Sequence, residues 1–321
     1  MLRIGITTGD PAGVGPELIV RIADAFREDT AYVIYGEEKT LAEACRLVGK
    51  PLKFRRIDAP SCADAPGLYL IDMDISNVAI PEPSLTSGKV AVAYLARATV
   101  DAVRGDLKGL LTMPLSKFWA RRAGLSCEGQ TEYLAQASGV KRFAMMMFSE
   151  KLRLVLLSTH VPLSEVPPLV RKDRIREKLA LILDEYPKLF GKEPSVGVLG
   201  LNPHSGEWGE TGKEDVEEIL PAVEEFREKG YPVEGPLAPD TAFLQRERYE
   251  VFLCMYHDQG LIPFKLLSFR EGVNLTLGLP FPRTSPDHGT AYDIAWQGRA
   301  DPTSALKALE LLHRLIENLN R

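Results

Sequence analysis

Eight short apolar runs, at positions 2–7, 31–35, 68–71, 109–112, 143–148, 152–157, 196–199 and 251–255, read as strands, and most alternate with stretches of helical spacing. A helix between two strands lets the second run parallel to the first, so this alternation confines the chain to an α/β fold with a largely parallel sheet. The first unit is the plainest. Residues 2–7 lead into Gly9-Asp10-Pro11-Ala12-Gly13-Val14-Gly15-Pro16-Glu17, and Leu18, Ile19, Ile22 and Phe26 follow at helical spacing. Pro16 suits a first helical turn, where its missing N–H costs nothing. Ile175, Leu179, Ile182, Leu183 and Tyr186 predict a second helix. Val216, Ile219, Leu220, Val223 and Phe226 predict a third, which Pro221 should kink or divide. Asp301-Pro302 caps a last helix whose stripe of Leu306, Leu309, Leu312, Leu315 and Leu319 reads as core packing. Ile80-Pro81-Glu82-Pro83-Ser84 reads as a loop.

With 321 residues and 45% hydrophobic content the chain can bury a large core, and its length suggests two lobes. It contains no apolar run of about 18 residues that would span a membrane. The start Met1-Leu2-Arg3-Ile4-Gly5-Ile6 lacks the regions of a signal peptide, so the expected location is the cytoplasm. Four scattered cysteines (Cys45, Cys62, Cys127, Cys254) indicate neither a disulfide framework nor a thiolate zinc site. A net charge of −5 without a basic tract offers nucleic acid no electrostatic footprint, and small molecules are the expected ligands.

Chemistry-bearing residues gather in the last third, from Tyr256-His257-Asp258-Gln259-Gly260-Leu261-Ile262-Pro263-Phe264-Lys265 through Asn274 and Arg283 to His288-Gly289-Thr290-Ala291-Tyr292-Asp293. His160, His204 and His257 each follow an apolar run. Ligands of an α/β sheet bind beyond the carboxyl ends of its strands, so the three imidazoles can converge on zinc or a similar divalent ion. Taken singly, each is also an ordinary loop histidine. Lys265, Asn274 and Arg283, all read as lying near turns, supply a point charge, an amide and a guanidinium fork for an anion such as a phosphate. Gly129-Gln130-Thr131-Glu132 adds an amide and a hydroxyl, or is simply a helix start. The glycines of the loop 9–17 let the backbone approach a ligand, or make a plain tight turn.

These motifs resemble the 4-hydroxythreonine-4-phosphate dehydrogenase family of pyridoxal phosphate biosynthesis. The resemblance rests on the loop 9–17, Leu201-Asn202-Pro203-His204, Gly235-Pro236-Leu237 with Asp240-Thr241, the stretch 256–265, and Asn274-Leu275-Thr276-Leu277-Gly278-Leu279-Pro280 onward to Asp293. It covers essentially the whole chain. It implies that His160, His204 and His257 bind a divalent metal (zinc, with magnesium or cobalt as alternatives), and that Thr131, Lys265, Asn274 and Arg283 contact a phosphorylated substrate. It also implies a homodimer whose metal site is completed across the subunit interface, and NAD-dependent oxidation of 4-phosphooxy-L-threonine at C3 with decarboxylation to 3-amino-2-oxopropyl phosphate.

A second resemblance, to isopropylmalate and isocitrate dehydrogenases, lies in the Gly-Pro-Glu end of the first loop and in His288-Gly289-Thr290-Ala291-x-Asp293. It implies a two-lobed fold that binds its dinucleotide without a Rossmann domain, with Gly13, Gly15, His288, Gly289, Thr290 and Asp293 at the cofactor. The expected domains are then 1–128 with 270–321 on the cofactor side, and 129–269 for metal, substrate and dimerisation.

The chain departs from the first family at Gln130, where the motif carries His at the substrate phosphate, and at Trp208 and Glu210, where Gly and His are common. Gln130 is nevertheless kept with the substrate contacts, and it opens a second reading: a dehydrogenase of 4-phospho-threonate or 4-phospho-erythronate. Asp240 and Asp258 are the candidate catalytic proton acceptors, against plain turn or capping roles. From other classes, a metal-dependent phosphohydrolase or a non-catalytic sensor would use the same residues.

Overall fold

A computed structural model of the chain describes residues 1–76, 78, 79 and 81–320. Ile80, the first residue of the proline-rich segment, lies outside the described residues, and 81–84 are irregular, as a loop should be. The chain forms two compact units, Met1–Lys141 with Leu279–Asn320, and Arg142–Gly278. Sequence boundaries at 129 and 270 differ from both joins for a packing reason. The helix Gln130–Ala137 buries Leu134 in the core of the first unit, whereas Val273–Leu277 pairs as a strand with Ala144–Phe148 in the second.

The first unit contains β1 (Leu2–Thr7), β2 (Thr30–Gly36), β3 (Arg55–Arg56), β4 (Gly67–Asp72), β5 (Gly109–Thr112) and β12 (Arg283–Pro286). They run in the order β3-β4-β2-β1-β5-β12 with every pair parallel. β2 is buried at every residue, which is why it reads as a continuous apolar run and not as an alternation. Tyr35, Tyr69, Tyr94, Leu95 and Leu110 pack in the core on the same side as Leu134.

The last helix, Thr303–Leu319, begins as the sequence predicts: Asp301 accepts hydrogen bonds from the Thr303 amide (3.0 Å) and hydroxyl (2.6 Å). Leu309, Leu312 and Leu315 are buried, while Leu306 is half-buried and Leu319 is exposed. Among them lies His313, buried, with Nε2 2.7 Å from the Tyr32 hydroxyl. Burial, reinforced by the charge of Arg27, pulls the His313 pKa from 6.5 down to about 4. The folded value lies below the unfolded one, so this contribution to stability is complete above pH 6.5 and drains away as the pH falls towards 4. Between pH 7 and pH 4 the loss should be roughly 3 kcal/mol. Urea unfolding of wild type and His313→Gln across that range should diverge by about this amount; parallel curves would contradict it.

The second unit holds β6 (Ala144–Phe148), β7 (Arg153–Leu156), β8 (Val196–Leu199), β9 (Val233–Leu237), β10 (Val251–Cys254) and β11 (Val273–Leu277). Their order is β11-β6-β7-β10-β8-β9, with β6 antiparallel to both neighbours and the remaining pairs parallel. The helix Lys172–Phe190 buries Ile175, Leu179, Ile182, Leu183 and Tyr186 as their spacing predicts. At Pro221 the expected division takes the form of a change of helix type: a π-turn over Asp215–Ile219 passes into the α-helix Leu220–Glu228. Proline has no N–H for the helical ladder, and the wide turn ahead of it absorbs that gap.

Candidate functional site

In the second unit β7, β10 and β8 are adjacent and parallel, so the loops that follow them leave the same edge of the sheet. His160 lies in the first of these loops and His204 in the third, while His257 opens the helix His257–Ser268 directly after β10. Two side chains fasten the loops together. The Ser158 hydroxyl donates to Met255 O (2.7 Å), and buried Gln259 accepts from Met255 N (2.7 Å) while donating to Gly200 O (2.7 Å). The rings of His160 and His257 stand with centroids 5.7 Å apart.

His204 is placed differently. Residues 204–208 form a left-handed turn with φ of 52°, 55°, 76°, 44° and 61°. Only Gly206 takes this conformation freely. The other four cost about 1–2 kcal/mol each, roughly 4–8 kcal/mol together, which the bonds around the turn must offset. One is local, Thr211 N donating to Gly206 O (3.0 Å), and another reaches across the chain, the Ser205 hydroxyl donating to Pro236 O (3.1 Å). Trp208, one of the departures from the family pattern, stands 91% exposed at the end of the turn.

Among the described residues no three His, Cys, Asp or Glu side chains stand close enough to hold a metal ion. The described residues of one chain therefore do not by themselves close a three-ligand site. The chemistry of the donors nonetheless suits a divalent ion. Nδ1 of His204 lies 2.7 Å from Glu207 Oε1, and Nδ1 of His257 lies 2.7 Å from Asp258 Oδ1. A carboxylate on Nδ1 fixes the tautomer and leaves Nε2 as the free donor, the arrangement that metal-binding histidines use. Glu207, with Asp240 adding to it, holds the His204 pKa above its usual value. Asp258 therefore engages a ring instead of capping the helix, and Asp240 is exposed near His204.

The anion-binding candidates sit on regular elements and not near turns. Lys265 lies inside the helix His257–Ser268, with Nζ 5.8 Å from the Phe269 ring centroid; Asn274 is in β11 and Arg283 in β12. Asn274 donates to Met145 Sδ, and its carbonyl oxygen is buried without a hydrogen-bond partner among the described residues. Arg283 is only 2% exposed. Its Nε (2.9 Å) and Nη2 (2.6 Å) both donate to Thr112 Oγ1, and its Nη1 donates to Thr131 Oγ1 (3.3 Å). Burial draws the guanidinium pKa down to about 10, with Glu132 acting in the opposite direction. Gln130, at the start of its helix, donates to Met113 O (3.1 Å).

The first loop meets the segment 288–296 within the first unit. Val14 N donates to Thr290 O (3.0 Å), Trp296 Nε1 to Pro11 O (3.1 Å), and the Tyr292 hydroxyl to buried Asp10 (2.5 Å). A Cβ on Gly13 would lie 2.9 Å from Thr290 O and one on Gly15 2.0 Å from Thr8 O, so the chain's own backbone already demands both glycines. Burial raises the Asp10 pKa, and Tyr292 is raised by burial and by that carboxylate. His288 and Gly289 are exposed, and Asp293 is exposed within turns over 292–298; no helix starts at Ile294 for it to cap.

The family model described as pyridoxal phosphate biosynthetic protein PdxA matches residues 28–312. The chain belongs to the PdxA family. It is 58% identical to the 4-hydroxythreonine-4-phosphate dehydrogenase of Aquifex aeolicus (strain VF5), over 99% of both chains. It is 38% identical to the D-threonate 4-phosphate dehydrogenase of Pectobacterium atrosepticum, over 97% of this chain and 98% of the relative. The structure of a 4-hydroxythreonine-4-phosphate dehydrogenase from Klebsiella pneumoniae matches with TM-score 0.86 at 36% identity, covering 98% of this chain and 100% of that one. Isocitrate dehydrogenase from Methylococcus capsulatus matches in fold alone, with TM-score 0.51 and 16% identity over 100% of this chain and 87% of that one. The chain thus has the mixed α/β, largely parallel architecture that its strand pattern and second resemblance predict.

Sequence reading did not single out Ser158, Gln259, Glu207, Thr112, Asp10 or Tyr292. Three of these (Gln259, Asp10 and Tyr292) stand inside the quoted motifs, but each has a partner far away in the chain: Gly200 for Gln259, and Asp10 and Tyr292 for one another. Thr112 ends an apolar strand with no sign that a guanidinium will rest on it.

Proposed function

We propose that the chain oxidises the C3 hydroxyl of 4-phosphooxy-L-threonine, passing the hydride to NAD, and that the β-keto acid so formed loses carbon dioxide to give 3-amino-2-oxopropyl phosphate for pyridoxal 5′-phosphate synthesis. The observation that carries this reading is full-length similarity to dehydrogenases of that name, joined to three histidine loops tied along one sheet edge. His160, His204 and His257 would hold the divalent ion, zinc being the best match to imidazole donors, with magnesium or cobalt as alternatives. A divalent ion there supplies a Lewis acid that lowers a hydroxyl pKa and draws charge from a ketone.

For the substrate, Arg283 and Thr131 of the first unit supply a guanidinium and a hydroxyl for the phosphate, and Lys265 and Asn274 of the second keep the contact roles that the family resemblance gives them. Glu207 and Asp258 orient the rings of His204 and His257. Because Asp258 is engaged on His257, we assign the role of accepting the hydroxyl proton to Asp240, exposed beside His204. The active unit is a homodimer with a shared site. Supporting this, Ile262, Leu266 and Phe269, at helical spacing beside His257 and Lys265, are 59%, 83% and 72% exposed. We place the enzyme in the cytoplasm, where its four unpaired cysteines stay reduced.

A specific observation favours one further reading. Gln130 spends an amide hydrogen on Met113 O, and one relative acts on D-threonate 4-phosphate, so a phosphorylated four-carbon hydroxy acid is the runner-up substrate. Comparing kcat/KM for 4-phosphooxy-L-threonine, 4-phospho-threonate and 4-phospho-erythronate by NADH absorbance decides between them. The amino acid should lead; a lead for either hydroxy acid would reassign the substrate.

Cofactor choice rests on Gly13, Gly15, His288, Gly289, Thr290 and Asp293. An exposed carboxylate at Asp293 accepts hydrogen bonds from ribose hydroxyls and repels a 2′-phosphate. NAD should outperform NADP with wild type, and Asp293→Lys should shift the ratio of catalytic efficiencies towards NADP. A wild type that prefers NADP would defeat the assignment.

A further inference from the structure

We infer that Asp215 is the positioning residue for His204: its buried carboxylate gathers the backbone that leads into the left-handed turn and so fixes where that imidazole is presented. The sequence hides it in the acidic run Glu214-Asp215-Val216-Glu217-Glu218, which reads as a solvated helix face. Asp215 is instead 0% exposed. Oδ1 accepts from Leu201 N (2.8 Å), and Oδ2 accepts from Asn202 N (3.1 Å) and Asn202 Nδ2 (2.8 Å).

Three donors on two oxygens need a carboxylate. An amide in its place would turn one N–H group towards another. The surroundings are fitted to the cluster: a Cβ on Gly200 would meet Asp215 Oδ1 at 2.5 Å, and one on Gly212 would meet Asn202 Nδ2 at 2.4 Å. Asn202 also donates to Glu214 (2.9 Å), and its carbonyl accepts from Ser205 N (3.1 Å) at the start of the turn. Gly200 O receives Gln259, the residue that fastens this loop to the one carrying His257. Asp215 therefore fixes both the entry to the turn and its register against the neighbouring histidine loop.

This inference rests on the metal reading of His204, so its test separates the two. Metal-free full-length protein is titrated with Co²⁺ alone and followed by the visible absorption of the bound ion, with far-UV circular dichroism and amide exchange on the same samples. Asp215→Asn should keep the fold, bind Co²⁺ about 10- to 100-fold more weakly, and exchange the Leu201 and Asn202 amides faster even without metal. Glu218→Gln, in the same helical segment, removes bonds to Arg171 and Lys172 and should leave Co²⁺ affinity unchanged. Should Asp215→Asn not fold, Asn202→Ala, which removes one of the three donors, carries the same expectation. Wild-type affinity in both Asp215→Asn and Asn202→Ala overturns the inference while the metal reading stands; a wild type that takes up no Co²⁺ overturns both.

Discussion

Replacing His204 or His257 by Ala should remove bound divalent metal and lower kcat/KM by about three orders of magnitude, with the fold intact. A Lewis acid is worth several kcal/mol at a developing oxyanion, and each 1.4 kcal/mol is tenfold in rate. The fold should survive because both rings stand at loop or helix starts beyond the sheet, 65% and 41% exposed, and support no core cluster. No three ligands close within one chain among the described residues, so the account needs donors from two chains. Mixing His204→Ala with His257→Ala protein should restore part of the activity, since one hybrid interface then carries a complete set. Full activity and normal metal content in either single variant would refute the ligand assignment. Verified heterodimers that stay inactive would refute sharing.

Arg283→Met should raise KM for the phosphorylated substrate by roughly 10- to 100-fold, the loss of one charge-assisted contact of about 1.5–3 kcal/mol. The guanidinium is buried and oriented by Thr112, which takes both Nε and Nη2 on one hydroxyl oxygen. Lysine has no fork to satisfy that geometry, so Arg283→Lys should recover little. Thr112→Val, which leaves the charge and removes only the orienting acceptor, should fall between the two. The comparison that matters is with an unphosphorylated analogue, on which wild type should be weak and Arg283→Met no weaker. An equal fold-loss on both substrates would show that Arg283 acts on the fold and not on phosphate.

Much of the scaffold was legible because local and tertiary preferences agree there. β1, β5 and β8 coincide with apolar runs that polar residues or turns interrupt, and the helix Lys172–Phe190 follows its buried stripe. β12 was not legible: Arg283-Thr284-Ser285-Pro286 has no apolar run, and it is a strand because it pairs with β5, Arg283 opposite Leu110 and Thr284 opposite Leu111. In β11, Val273-Asn274-Leu275-Thr276-Leu277, Asn274 directly after Gly272-Val273 reads as a residue near a turn, and pairing with β6 makes it a strand. The same limit governs the site. The position of each histidine beyond a strand could be read, since it is local. The left-handed turn could not, because in Pro203-His204-Ser205-Gly206-Glu207-Trp208 only Gly206 favours it; bonds from residues elsewhere in the chain help impose it on the other four.

The central claim is that this chain is a metal-dependent dehydrogenase acting on a phosphorylated hydroxy amino acid, and one measurement addresses it most directly. Purified protein is incubated with 4-phosphooxy-L-threonine and NAD, before and after treatment with a chelator, while NADH, carbon dioxide and free phosphate are followed together. The account predicts NADH and carbon dioxide in equal amounts with no free phosphate, abolished by the chelator and restored by added Zn²⁺. Release of phosphate without NADH would contradict it and assign the same residues to a phosphohydrolase.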